Sequence, residues 1–149
     1  MNRLISCVIL ALLPGVAMPA DTLESAEPGV IESTLGYELS DFLWHFRPIV
    51  VFADTEADPR FSEQMERLRA EIDLLAERDV LILTDTDPAL SSDIRKQLRP
   101  RGFQFVLIGK DGRVLMRRPS PQSVREITRS IDKSPTRQRE IRERRGNGS

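Results

Sequence analysis

Along this chain the spacing of apolar positions changes several times, and each change marks an element. Leu39, Phe42, Leu43 and Phe46 recur at helical spacing and stop before Pro48, which predicts a short helix. Ile49 to Ala53 is an unbroken β-branched and apolar run, the pattern of a strand covered on both faces. The 3.6-residue period then returns. Phe61, Met65, Leu68, Ile72 and Leu75 fall on one face with Glu, Arg and Asp between them, predicting an amphipathic helix over 59–78. Asp58 stands where a carboxylate caps the first backbone N–H groups, and Pro59 suits the first helical position, where no N–H is needed.

Val80 to Leu83 reads as a second buried strand, closed by the turn-forming run Thr84, Asp85, Thr86, Asp87, Pro88. A short helix over 91–98 ends before Pro100. Phe103 to Ile108 is a third strand, and Lys110, Asp111, Gly112 turn the chain into a fourth over 113–117, making a hairpin. A last helix over 122–132 buries Val124, Ile127 and Ile131. The order β-α-β-α-β-β-α predicts an α/β domain, a mixed four-stranded sheet with helices on both faces. The thioredoxin fold has this order. The domain is expected over 38–134, preceded by an acidic flexible lead-in at 21–37 and followed by an Arg-rich polar tail at 135–149.

With 149 residues the chain is sized for one core. Its first residues are of another kind: Arg3 gives a basic start, Leu4 to Leu13 is mostly apolar, and small residues surround Ala17 and Ala20. That layout is a secretory signal peptide over 1–20, cut after Ala20 or after Ala17. About ten apolar residues do not span a hydrocarbon core ~30 Å thick, so no transmembrane segment is expected in the mature protein. Cys7 also sits in a lipoprotein-like box, with too few residues ahead of it for a full hydrophobic region. Cys7 is the one cysteine of the sequence, so removal of the leader leaves no thiol and no disulfide.

Charge divides the chain. Residues 21–93 hold 18 acidic and 5 basic side chains, and residues 94–149 hold 5 acidic and 16 basic. Interleaved in space, the halves would pair internally; segregated, they would form a dipole.

Four segments carry a narrower resemblance: R-P-I-V-V-F-A at Arg47 to Ala53, A-E-R-D-V at Ala76 to Val80, V-L-I-G-K-D-G at Val106 to Gly112, and I-D-K-S-P-T-R-Q-R-E at Ile131 to Glu140. In these the chain resembles the P-DUDES thioredoxin-like domains of unknown function, found in bacterial envelope proteins and in secreted vertebrate matrix proteins such as equarin and the sushi-repeat proteins. The resemblance implies a thioredoxin-like fold, secretion and a role without established catalysis. Such proteins have Met on both sides of the Pro in the last segment, where this chain has Ser134 and Thr136.

The chemistry of such folds belongs at the C-terminal end of the first strand, where this chain reads FADTEADPRF. A thiol oxidoreductase has two cysteines there; Thr55, Ala57, Asp58, Pro59 and Arg60 form a degenerate active-site loop without sulfur. The hydroxyls nearby have no evident base, since the single histidine, His45, precedes the strand. Asp54, Asp85 and Asp87 offer oxygen ligands for a hard cation on one rim, while Asp58 reads equally as a cap and Asp85 and Asp87 as turn formers. Arg95, Lys96, Arg99 and Arg101 form a candidate anion-binding surface for a glycan or lipid headgroup, or a solvated helix face with salt bridges to the acidic half.

The sequence thus reads as an exported thioredoxin-like protein, periplasmic or extracellular, without redox cysteines or cofactor, acting as a binding or envelope-associated module rather than an enzyme. Its expected partner is an envelope or extracellular component, with nucleic acid excluded by export. The second reading is a non-thiol enzyme or cation-binding domain using the rim carboxylates.

Overall fold

The computed structural model describes residues 27–148; the expected signal peptide and Cys7 lie outside them. Five strands, β1 (Ile31–Ser33), β2 (Arg47–Phe52), β3 (Val80–Asp85), β4 (Gln104–Ile108) and β5 (Val114–Arg118), form one sheet in the order β1-β3-β2-β4-β5. β3 runs parallel to both β1 and β2, whereas β4 pairs antiparallel with β2 and with β5. β2, β3, β4 and β5 are the four strands expected, with β3 carried on through Thr84 and Asp85, which were expected in the turn: pairing with β2 and β1 keeps them in the sheet. The fifth, β1, falls in the segment expected as a flexible lead-in. Three residues with one apolar side chain carry too little periodicity to show a strand, and what makes Ile31–Ser33 one is a free edge on β3.

Alternation along the strands divides the core. Ile49, Val51, Val80, Ile82, Phe105 and Leu107 face one side of the sheet, beneath α1 (Pro59–Ala70), α2 (Ile72–Ala76) and α4 (Val124–Asp132). Val50, Phe52, Leu81, Leu83, Val106 and Ile108 face the other, beneath α3 (Asp93–Leu98) and the 3-10 turn Leu39–Phe42. Both faces are buried, so the strands read as continuous apolar runs instead of alternating ones.

The helix expected over 59–78 is two helices. Glu71 leaves helical geometry at φ −129° and ψ 35°, separating α1 from α2. The apolar spacing runs unbroken through this point, so periodicity carries no trace of it. What uses the bend is the N-terminal segment: Gly29, at φ +83°, crosses α2 so closely that a Cβ there would lie 3.2 Å from Ala76 and 3.3 Å from Ile72. After α4, the tail continues as α5 (Pro135–Gly146), started by Ser134, whose hydroxyl accepts from the Arg137 N–H, and by Pro135 at the first position.

Candidate functional site

The C-terminal ends of β2 and β3 form the rim where the degenerate loop sits. Asp58 caps α1, accepting from the Arg60 N–H at 2.9 Å, and its side chain holds the Arg60 guanidinium at 2.7–3.0 Å. The Arg60 contact keeps the Asp58 carboxyl below its usual range. Arg60 in turn lies over the Phe103 ring, 5.5 Å from its centroid. Thr55 accepts from the Ala57 N–H, and Ala57 is an exposed methyl. Asp58 and Arg60 are thus engaged at the helix start, which is a structural use of these two positions.

Beside it, Asp85 is built into a closed network. Oδ1 accepts from Arg95 Nη2 at 2.7 Å and Nε at 3.0 Å; Oδ2 accepts from Ser92 at 2.7 Å and Thr34 at 3.0 Å. Burial alone would raise this carboxyl, but hydrogen bonds from Arg95, Ser92 and Thr34 outweigh it and hold the group below the usual range. Arg95 also donates to the carbonyls of Ala53 and Asp85 and lies 5.3 Å from the Phe52 ring centroid. Ser92 serves twice, since its oxygen caps α3 by accepting from the Arg95 N–H.

Each of the two alternatives has a place in the structure. Asp54 and Asp87 line one shallow rim depression with Glu56, while Asp87 caps the 3-10 turn Pro88–Leu90 and Asp85 spends both oxygens on neighbours. Among the described residues no three His, Cys, Asp or Glu side chains are placed to hold a metal ion. Nor do the four cations form one surface. Arg95 points inward to Asp85, Lys96 pairs with Asp93 at 3.1 Å, and only Arg99 and Arg101 stand exposed without such a partner. A helical pitch places residues on a face but does not say which cation a buried carboxylate will take.

What the rim does offer is a groove of 340 Å³ at the C-terminal ends of β1 and β3, lined by Thr34, Thr84, Thr86 and Ser92 and by the exposed Glu56, Asp87, Leu35 and Leu90. Thr34 and Leu35 lie in the segment expected as lead-in and were not candidates. Ser92 is a capping residue type ahead of Ile94 and Leu98, a signal that the expected helix over 91–98 does not use; its second role as a donor to Asp85 needs the fold.

At the opposite end of the sheet lies a second polar cluster. Arg47, fully buried at the start of β2, donates to the Arg78 carbonyl at 2.8 Å and to Glu140 at 2.9 Å. Lys110 bridges Asp79 at 2.7 Å and Glu140 at 3.0 Å. Arg137 reaches Glu140 at 3.1 Å, and Arg78 grips Asp132 through two 3.0 Å bonds. Burial would push the Glu140 carboxyl up, but Arg47, Lys110 and Arg137 together bring it from 4.5 to about 2. The folded state therefore binds the Glu140 proton more weakly than the unfolded chain does. The resulting stabilisation is complete above about pH 4.5 and is lost as pH falls toward about 2. Urea midpoints are expected to drop between about pH 6 and about pH 3, and the drop is expected to be smaller in Glu140→Gln; equal pH dependence in the two proteins would refute this source.

The sheet order, the crossover helix and the rim at the β2–α1 junction define a thioredoxin-fold α/β protein. One solved structure agrees with this class: reduced 2-Cys peroxiredoxin of Plasmodium vivax is similar at 21% identity and TM-score 0.51, over 64% of this chain and 81% of that one. Thioredoxin peroxidase I of Plasmodium yoelii (25% identity, 64% and 76% covered, TM-score 0.46) and StoA of Bacillus subtilis (12%, 58% and 82%, TM-score 0.37) are also similar. The chain belongs to the family described as Domain of unknown function (DUF4174), whose model matches residues 38–140. No curated protein matches it.

Proposed function

We propose that this protein is an exported binding module, a thioredoxin fold without its sulfur chemistry, and that the groove beside Asp85 is its binding site. One observation carries the reading. Where this fold has its reactive end, the chain has a preformed 340 Å³ groove whose floor is fixed by the closed Asp85–Arg95–Ser92–Thr34 network. Leu35 and Leu90 stay 48% and 55% exposed in its lining, beside threonine hydroxyls and the Glu56 and Asp87 carboxylates. That combination suits a peptide segment with a basic side chain next to an apolar one.

Thr86→Trp adds bulk in the groove lining and leaves Asp85, Arg95, Ser92 and Thr34 unsubstituted. Cross-linking capture from envelope extracts is expected to recover a partner with the wild type and to lose it with this variant at an unchanged melting temperature. Equal capture by both would sink the groove as the site. Export is tested separately: intact mass of the protein from the producing cell is expected to begin at Asp21. The mature chain is also expected to reduce insulin disulfides no faster than buffer, since the sequence has only Cys7; measurable turnover would refute the non-redox reading.

The four segments that resemble P-DUDES domains contribute Arg47, Arg78, Asp79, Lys110, Asp132, Arg137 and Glu140 to the single network below the sheet. This supports placing the chain in that group, with the network as a shared internal brace.

A further inference from the structure

Arg125, Arg129 and Lys133 follow one another at four-residue intervals along α4 and its C-cap, which puts them on one side of the helix over about 12 Å. All three are exposed, while Val124, Ile127 and Ile131 on the opposite side are buried. None of the three is in an ion pair with a described residue. The carboxylates within reach are committed elsewhere: Asp132 is held by Arg78 at 3.0 Å, and Glu126 closes a capping box with Ser123. Like charges at this spacing repel, so the stripe is a positive ridge; Asp132 and Glu126 each line one of its flanks but are already bound by Arg78 and Ser123.

Grooves flank this ridge, one of 500 Å³ toward α5 with Thr128 in its wall, the other of 310 Å³ toward β5 with Ser130. Arg129 and Lys133 border both. We propose that the stripe binds a linear anionic polysaccharide, its cations taking sulfate or carboxylate groups and its hydroxyls meeting sugar hydroxyls. Two grooves along a ridge accommodate a chain better than the plane of a bilayer. No aromatic side chain lines either groove, which leaves single-stranded nucleic acid without the stacking it uses. The surface lies on the helical face away from α3, and its occupant is independent of the rim groove.

The probes are heparin and polygalacturonate, with dextran as the uncharged polymer, and anionic vesicles and oligothymidylate as competing polyanions. The wild type is expected to bind both acidic polysaccharides and to be released by salt. The R125E/R129E/K133E variant is expected to bind at least about tenfold more weakly at unchanged melting temperature. R99E/R101E, which changes exposed cations following α3, is expected to stay within about twofold. R129Q removes one charge with little risk to folding and is expected to weaken binding in the same direction. Failure of the wild type to bind either acidic polysaccharide, equal losses in the two charge-reversal variants, or tighter binding to vesicles or oligothymidylate would each overturn the proposal.

Discussion

Replacing Glu140 with Ala is expected to destabilise the protein by about 3 kcal/mol, lowering the melting temperature by roughly 10 °C. The reason lies in what the variant leaves behind. Arg47 has no exposed surface, and without Glu140 its guanidinium keeps only the Arg78 carbonyl. An unpaired charge in that setting has lost its hydration without a counter-ion to replace it. Lys110 is less affected, because Asp79 remains 2.7 Å away. Glu140→Gln keeps the shape and one hydrogen-bonding oxygen, so its loss should be smaller. Combining Arg47→Met with Glu140→Leu removes both charges and should recover much of the stability, the sign of a pair whose cost lies in being broken. Thermal unfolding of the wild type, Arg47→Met, Glu140→Leu and the double variant closes this cycle. A Glu140→Ala variant within ~0.5 kcal/mol of wild type would show that the network does not hold α5 to the sheet.

Asp85→Ala comes second, with an expected loss of about 2–3 kcal/mol. Asp85 joins three parts of the chain, since its oxygens receive Thr34 from the N-terminal segment and Ser92 and Arg95 from the start of α3. Removing it strands a guanidinium that is only 12% exposed and frees two hydroxyls. Arg95 retains the Ala53 and Asp85 carbonyls and the Phe52 ring, which is why the expected loss is below that of Glu140→Ala. Because the groove wall is built on the same bonds, hydrogen exchange should quicken around residues 31–35 and 92–98 before it does in β2. Uniform protection across these segments would mean that the network is not what fixes the wall.

The apolar pattern made the central strands and α4 legible because each buries a face, and burial writes a period into the sequence. Asp58 and Pro59 announced the start of α1 for a local reason: a cap acts within a few residues. Beyond that reach the signal fades. Glu71 interrupts a helix whose apolar spacing continues, and Ile31–Ser33 is a strand only because β3 has an edge to offer. The candidate site shows the same limit. Thr55, Asp58 and Arg60 were found at the rim where the strand–helix junction put them, whereas Thr34 and Leu35 reach that rim by a long-range pairing.

The charge pattern divides along the same line. Sequence alone determined that the two halves differ in sign, that thiol chemistry rests on nothing but Cys7, and that a mixed sheet lies between helices. Only the tertiary structure decided which charges meet. Asp85 takes Arg95, Asp79 takes Lys110 and Glu140 takes Arg47, while Arg125, Arg129 and Lys133 are left facing solvent. Hydrophobic burial is non-directional and sums over area, so a pattern of residue types specifies it. An ion pair needs two groups within about 4 Å, and that distance is set by the packing of elements far apart in the chain.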